Sequence, residues 1–188
     1  MICRSRKLDI PDLVLLEAQR IADPRGSFME MYKRSEFSQV GISEHFVQDN
    51  YSRSRRHVLR GLHYQKAPKA QAKLVTVLRG EIFDVAVDIR TGSPTYGRWT
   101  SVVLSSENPA MVYVPVGFAH GFCVLSEEAD VLYKVSEEYA PEFDRGIVWS
   151  DPDVGIRWPL TEPVISVKDA RLPQLKDADN DFVYDEKR

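Results

Sequence analysis

Two of the four histidines lie in segments that could place a side chain for proton transfer or for metal binding. His120 ends the segment PVGFAH at 115–120, which predicts a tight turn, with Gly117 at positive φ, followed by a strand. His63 lies in GLHYQ at 61–65. A neutral imidazole binds metals and exchanges protons near neutral pH. A lone histidine on a strand can also be a hydrogen-bonded core residue, so the surrounding pattern has to decide.

The turn at 115–120 has the PxGxxH pattern of cupins, which are double-stranded jelly rolls. Cupins usually hold a transition metal through an HxH pair and a glutamate in an earlier motif and the histidine of this later one. The earlier motif falls at 61–65, where His63 is the only histidine, so two of the four usual ligands are missing. His45 and His57 lack the HxH spacing. We therefore expect no metal site and reject a metal-dependent dioxygenase.

Short strands separated by turns dominate the predicted secondary structure. Between residues 81 and 89 the side chains alternate, with Asp84 and Asp88 on one face and an apolar row on the other. Turn signals lie at 79–80, 91–94 and 106–109. Many evenly spaced strands and few helices indicate an all-β sandwich or closed barrel. The predicted strands are 13–18, 27–32, 46–51, 58–64, 72–78, 81–89, 99–104, 111–114, 121–125 and 130–135, and the predicted helices are 35–40 and a short stretch after Asp169.

Length and composition favour one soluble globular domain. The chain has 188 residues, of which 43% are hydrophobic and 28% charged, which suits a single well-buried core and is too apolar for a disordered chain. We expect one domain over 1–188, with N-terminal strands at 1–45, a barrel core at 46–150 and a C-terminal extension with a short helix at 151–188.

Several classes of partner are excluded by composition. No apolar stretch approaches the roughly 20 residues that span a bilayer, and the N-terminus has no apolar signal core, so we expect no membrane partner and a cytoplasmic location. Cys3 and Cys123 form neither a CxxC motif nor a disulfide framework. The net charge of -3 gives no general basic field for a nucleic acid, and the arginines at 53, 55, 56 and 60 suit a local anion.

In order and spacing, segments along nearly the whole chain resemble the dTDP-4-dehydrorhamnose 3,5-epimerases. The resemblance implies a cupin jelly roll with short peripheral helices that inverts C3 and C5 of dTDP-4-keto-6-deoxy-D-glucose, giving dTDP-4-keto-L-rhamnose in dTDP-L-rhamnose biosynthesis. Protons at these carbons are acidic because the carbanion delocalises onto the C4 ketone oxygen, so no cofactor is needed. The resembling segments are 23–30, 46–52, 58–65, 71–75, 80–88, 115–122, 132–134, 148–153 and 166–169.

The resemblance also implies roles for the residues that match catalytic positions. His63 is the base, a task for which histidine is suited because its unperturbed pKa is about 6.5. Asp169 holds the other ring nitrogen and fixes the tautomer. Tyr133 is the acid on the opposite face of the sugar, and Lys73 stabilises the developing enolate. His120 lines the same floor and contacts the sugar.

Matches to substrate-binding positions begin with the diphosphate. Arg25 and Arg60 correspond to family positions, and arginine forks suit phosphate oxygens without a metal. In the family, the early strand segment that carries Arg25 and Glu30 reaches the active site of a partner subunit. The resemblance therefore implies a homodimer with shared active sites and dimer contacts within 1–45.

Further matches concern the nucleotide base. Gln48 and Asn50 lie on the same strand face by period two and offer amide donors and acceptors. Tyr139 stands where family members stack an aromatic ring on thymine. Asp144 and Lys168 match contact positions, although Asp144 stands where we expect a glutamate.

Taken one at a time, these residues have simpler interpretations. Tyr133 could be a barrel-lining aromatic, Lys73 a solvated strand charge and Asp169 a helix N-cap. Two alternatives for function also stay open: a 3- or 5-mono-epimerase of a specialised deoxysugar pathway, and a cupin that binds a nucleotide sugar without turning it over.

Overall fold

The computed structural model describes residues 2–186, which form two facing β-sheets with a small projecting hairpin. Within that range, the helical elements are α1 at Arg34–Gln39 and 3-10 helices at Asp169–Arg171 and Leu175–Asp177, and no helix is long and apolar enough to cross a membrane. The strands are β1 Ile2–Lys7, β2 Val14–Ala18, β3 Arg20–Asp23, β4 Gly26–Met29, β5 Gln48–Arg55, β6 Leu59–Gln65, β7 Lys73–Arg79, β8 Glu81–Asp88, β9 Trp99–Ser105, β10 Ala110–Val114, β11 Phe118–Val124, β12 Glu128–Val135 and β13 Asp144–Gly146.

The strand order is that of a jelly roll. One sheet has the order β1-β2-β10-β7-β12-β5 and the other has the order β13-β6-β11-β8-β9, with antiparallel pairing in both. Strands β3 and β4 pair only with each other. The all-β prediction is therefore confirmed. Strands β1 and β2, from the N-terminal segment, belong to the six-stranded sheet of the jelly roll. The division of the domain into 1–45, 46–150 and 151–188 stays a prediction.

Three apolar layers hold the sheets in place. The inward faces of both sheets meet in a central core, as alternating strand residues require. The outward face of the five-stranded sheet is also buried, because the C-terminal segment packs on it. Helix α1 and its neighbours cover the outward face of the other sheet. Examples from the three layers are Val75, Phe122 and Val131, then Leu62, Val85 and Leu175, then Leu16, Phe37 and Met111.

A β-bulge interrupts the pairing of β6 with β11. His63 is paired with His120 and Arg60 with Phe122, so β6 uses three residues where β11 uses two. The extra residue lies beside Gly61, which has φ of 131° and whose missing Cβ would lie 2.5 Å from the Cα of Gly121. Residues three apart on a regular strand face opposite sides. The bulge is therefore what lets Arg60 and His63 face the same way.

The predicted elements differ from the observed ones mainly at the edges. The predicted helix at 35–40 is found as α1, while the stretch after Asp169 forms 3-10 helices. Strands β1, β3 and β13 escaped prediction because they are short or polar. The predicted strand at 27–32 ends at Met29, so Arg25 lies in the hairpin turn and Glu30 just beyond the strand, rather than both on it.

The close approach of β6 and β11 predicts a stability effect. A Cβ at Gly121 would lie 2.7 Å from the carbonyl oxygen of Arg60, so Gly121→Ala must push the strands apart. We expect a loss of about 1–3 kcal/mol in the free energy of unfolding, measured by chemical denaturation. Ser101→Ala, in β9 of the same sheet, is the control and should change it by less than about 0.5 kcal/mol. An unchanged midpoint for Gly121→Ala would contradict the close packing.

Candidate active site

A cavity of about 410 Å³ lies between the two sheets, within the range of small-molecule sites. Strands β6 and β11 contribute to one wall, β7 and β12 to the opposite wall, and residues 164–169 to the rim. All four predicted catalytic residues line it, together with three of the predicted substrate-binding residues. They are His63, Lys73, Tyr133 and Asp169, then Arg60, His120 and Lys168.

His63 is held by the carboxylate of Asp169. The ring Nε2 lies 2.9 Å from Asp169 Oδ1, and the backbone N–H of Gly61 donates to Asp169 Oδ2 over 3.3 Å. Burial raises the pKa of Asp169, but the hydrogen bonds from His63, Gly61 and Ser166 outweigh this and lower it overall. An ionised carboxylate accepts the Nε2 proton, which leaves Nδ1 as the nitrogen that can take up another proton.

His120 has a carboxylate partner of its own. Its Nε2 lies 2.9 Å from Asp84 Oδ2, and both side chains are almost fully buried, at 6% and 2% exposure. A buried polar group is stable only when it is hydrogen-bonded, so Asp84 and His120 satisfy each other. The alternation predicted only that Asp84 lies on the face opposite the apolar row of β8; in the structure this face points inward, and the partner of Asp84 could not be read from the sequence.

Lys73 and Tyr133 lie on the opposite wall from His63. Lys73 Nζ donates to the backbone carbonyl of His63 over 3.1 Å. Burial lowers the pKa of Lys73 to about 8, although the carboxylates of Asp144 and Asp84 partly oppose this. Burial also raises the pKa of Tyr133, against the effect of Arg60, so its phenol stays protonated at neutral pH. The cavity thus has a cation and a phenol on one wall and an imidazole on the other.

The residues predicted to read the base belong to a hydrogen-bonded chain that ends at Lys168, which lines the cavity. Gln48 donates to Asn50 Oδ1 over 2.8 Å, which confirms that they share a strand face, and accepts from the backbone N–H of Tyr139 over 2.9 Å. The Tyr139 hydroxyl donates to Asp144 over 3.0 Å, and Asp144 also accepts from Lys168, which lines the cavity. The Tyr139 side chain is exposed.

Six predicted residues do not line the cavity in this single chain, and two of them, Arg25 and Glu30, lie in or next to the β3–β4 hairpin. Arg25 lies in the β3–β4 hairpin turn, where it pairs with Asp23 and is largely exposed. Glu30 follows β4, 3.9 Å from Lys33 Nζ. The hairpin also exposes the cross-strand pair Ile21 and Phe28. Exposed apolar side chains beside an arginine are typical of a segment that contacts another molecule.

The donor set does not fit the metal site of a cupin. His63 and His120 are cross-strand neighbours, but each engages its own aspartate. Among residues 2–186, no group of three or more histidine, cysteine or acidic side chains is arranged around a common point. We therefore derive no chemistry through a metal.

Comparison with known proteins places these residues in a family. The dTDP-4-dehydrorhamnose 3,5-epimerase family model matches residues 7–177. The chain belongs to this family. A dTDP-4-dehydrorhamnose 3,5-epimerase of Shigella flexneri is 50% identical over 174 residues, which cover 92% of this chain and 96% of that protein. The family and the enzyme class expected from the sequence are both confirmed.

Solved structures of the epimerase family have the same fold. The dTDP-6-deoxy-D-glucose-3,5-epimerase of Legionella pneumophila, solved with dTDP-4-keto-L-rhamnose, is 48% identical with a TM-score of 0.89, and the match covers 92% of this chain and 93% of that one. A 3'-monoepimerase of Streptomyces bikiniensis, solved with dTDP-quinovose, is 36% identical with a TM-score of 0.85, over 91% and 87% of the chains. The prediction of a cupin jelly roll is confirmed.

Besides the apolar lining residues at 58, 59, 164 and 165, sequence reasoning missed three residues of the site. Phe122 and Ser166 line the cavity, and Asp84 supports His120 beneath it. Phe122 and Ser166 lie within segments that resemble the epimerases, but Phe122 carries no polar group and Ser166 reads as an ordinary turn residue. Asp84 is the one with a visible signal, because a carboxylate in a mostly apolar predicted strand needs a partner wherever it is buried.

The pKa of Lys73 predicts how the activity depends on pH. An ammonium with a pKa of about 8 is charged below that pH and neutral above it, so we expect kcat/KM to fall above about pH 8 if the cation is needed. Lys73→Arg should move this alkaline limb beyond pH 10, because a guanidinium stays charged. Lys134→Ala, at an outward-facing lysine paired with Asp49, should leave the limb in place. A flat profile up to pH 10 in the unmodified enzyme would contradict the assignment.

Proposed function

We propose that the chain converts dTDP-4-keto-6-deoxy-D-glucose to dTDP-4-keto-L-rhamnose by inverting C3 and C5, with His63 as base and Tyr133 as acid. The observation that carries the proposal is that the two side chains line one cavity from opposite sheets. Inversion needs a proton to leave one face of the sugar ring and another to arrive on the other face. A base and an acid on the same wall could only return the proton to the face it left.

The chemistry follows from charge. His63 Nδ1 takes a proton from the carbon beside the ketone, and the electron pair of the broken C–H bond moves onto the C4 oxygen as an enolate. Asp169 stabilises the imidazolium that forms, since its carboxylate holds Nε2. Lys73 stabilises the enolate oxygen, because a positioned cation in a site sheltered from water is worth several kcal/mol. Tyr133 then protonates the carbon from the other face, and both groups exchange protons with water before the second carbon reacts.

The remaining predicted residues fit a nucleotide-linked substrate. Arg60, held by Ser54 Oγ over 3.0 Å, is proposed to bind the diphosphate, and His120 the sugar. Tyr139 is proposed to stack on thymine, with Gln48 and Asn50 contacting the base. Asp144 and Lys168 are proposed to border this subsite. Each of these roles would place the dTDP moiety toward the mouth of the cavity and the ketone toward Lys73.

The proposal includes a cytoplasmic homodimer in which the β3–β4 hairpin supplies Arg25 and Glu30 to the partner's cavity. It is supported by the absence of hairpin residues from the cavity lining of their own chain, by the exposed pair Ile21 and Phe28, and by the exposure of the Arg25 side chain. The product would enter dTDP-L-rhamnose biosynthesis.

Solvent deuterium incorporation tests the reaction. In D₂O, the unmodified enzyme should label C3 and C5 of dTDP-4-keto-6-deoxy-D-glucose, read by NMR and mass spectrometry. His63→Ala should lose turnover by about 10²–10⁴-fold, and Tyr133→Phe should keep exchange at C3 or C5 but lose net inversion, because only the acid is missing. Tyr51→Phe, at an exposed tyrosine of β5, is the control and should behave as the unmodified enzyme.

The outcomes separate the alternatives. Exchange at one carbon alone would replace the double epimerase by a mono-epimerase, the activity of the structurally similar Streptomyces protein. Binding of the nucleotide sugar without exchange would indicate a non-catalytic cupin. Full activity of both His63→Ala and Tyr133→Phe would show that the base and the acid are misassigned.

Mixed dimers test whether the sites are shared. Arg25→Ala and His63→Ala should each be nearly inactive alone, but a mixed dimer would have one site with both residues intact. Refolding an equimolar mixture should recover about one quarter of the unmodified activity, because half of the dimers are mixed and each has one working site. No recovery in mixtures whose mixed dimers are verified by native mass spectrometry would mean that Arg25 does not act across subunits.

A further inference from the structure

The segment that carries Asp169 is anchored to the strand that carries His63. The backbone N–H of Leu59, at the start of β6, donates to the carbonyl of Val164 over 3.0 Å. Val164 in turn donates to the carbonyl of His57 over 2.8 Å. Residues 58 and 164 thus form a parallel bridge that sets the chain direction of residues 164–169 along the rim of the cavity. The anchor lies five residues before Asp169 and does not by itself aim the carboxylate.

Ser166 begins the turn that presents Asp169. Its Oγ accepts a hydrogen bond from the backbone N–H of Asp169 over 3.0 Å, and its carbonyl accepts from Ala170 N–H over 3.0 Å. The two bonds follow the pattern of a helix N-cap, in which a serine hydroxyl satisfies a backbone donor three residues ahead. Here they close the turn at 167–168 that leads into the 3-10 helix Asp169–Arg171. Ser166 itself is exposed, whereas Asp169 is buried at 4% exposure. The hydroxyl therefore accepts a hydrogen bond from the backbone N–H of Asp169, which is poorly accessible to water.

The spacing Ser166-x-x-Asp169 is that of a capping box, but one half of the box is missing. In a complete box, the side chain at the third helical position bonds back to the backbone N–H of the cap residue. Here the Asp169 carboxylate instead holds His63 Nε2 at 2.9 Å and the Gly61 N–H at 3.3 Å. The bond from the Asp169 N–H to the serine hydroxyl is therefore present, while the acidic side chain bonds to groups of the active site instead of to the cap residue.

We propose that Ser166 is a positioning residue, whose hydroxyl holds the turn so that the Asp169 carboxylate points at the His63 ring. The inference rests on the proposed function for its kinetic consequences and on the geometry alone for the dyad. Without the hydroxyl, the Asp169 N–H loses its partner, and the carboxylate loses the Ser166 hydrogen bond that helps to lower its pKa. The carboxylate also regains the usual alternative of bonding back within its own turn. His63 then loses its fixed tautomer and the stabilisation of its charged form.

The test compares Ser166→Ala with a matched control. Ser105 Oγ also accepts a backbone N–H three residues ahead, that of Asn108, over 3.2 Å, in an exposed turn outside the cavity. We expect Ser166→Ala to lower kcat about tenfold with KM within about twofold, because orientation rather than binding is lost. Ser105→Ala should leave both constants unchanged, and Ser166→Thr, which keeps a hydroxyl, should restore most of kcat.

A double-mutant cycle shows whether the effect passes through Asp169. In an Asp169→Asn background, Ser166→Ala should cause no further loss of kcat, because the carboxylate it orients is already gone. Equal losses in both backgrounds would mean that Ser166 acts elsewhere, and an unchanged kcat in Ser166→Ala would overturn the proposal. Failure of Ser166→Thr to recover activity would overturn the role of the hydroxyl.

An NMR readout separates this inference from the proposed function. The Nε2–H proton of His63, assigned by its loss in His63→Ala, should shift or broaden in Ser166→Ala and remain in place in Ser105→Ala. If the unmodified enzyme fails to turn over the dTDP-keto sugar but the ring proton moves as expected, the proposed function fails and the positioning role stands. If turnover is normal and neither the ring proton nor kcat changes in Ser166→Ala, the positioning role fails and the function stands.

Discussion

The contact on which the site depends is the close approach of two backbones at Gly61 and Gly121. Any larger side chain at either position would collide with the facing strand. Because the strands come so close, β6 can carry a bulge without losing its pairing with β11, and the bulge turns Arg60 and His63 to the same side. The same bend brings the Gly61 N–H to Asp169. Gly61 and Gly121 thus determine the orientation of Arg60 and His63.

The two histidines of the site are each paired with a carboxylate, whereas the lysine is not. His63 is paired with Asp169, and His120 with Asp84. Among the described residues 2–186, the hydrogen-bond acceptor of Lys73 is a backbone carbonyl alone, and burial lowers the pKa of the amine to about 8. A cation held so weakly gains most from an anion that forms beside it. The amine is therefore better suited to a developing enolate than to a structural ion pair, which would hold it at its ordinary pKa.

Prediction from the sequence succeeded for features that follow from a local residue pattern. It failed for contacts between residues that are far apart in the sequence. Alternation placed Asp84 and Asp88 on one face of β8, and period two placed Gln48 and Asn50 on one face of β5, because strand geometry is local. The polar hairpin strand at 20–23 has no apolar alternation to reveal it. The pairing of His63 with Asp169 spans 106 residues and entered the sequence argument only through a family resemblance. The partner of His120 was missed for the same physical reason, since pairing across a barrel leaves no local signature.

The position of Asp169 also links the chemistry to the outermost layer of the fold. Residues around it belong to the C-terminal part of the chain, whose apolar side chains cover the outward face of the five-stranded sheet. That layer is separate from the central core. The bridge between residues 58 and 164 nevertheless holds residues 164–169, at the rim of the cavity, next to the start of β6. Loosening it would move the carboxylate before it unfolded the barrel, because the inward core is separate. Catalytic competence is therefore expected to be lost earlier than the β-sheet structure as the protein is destabilised.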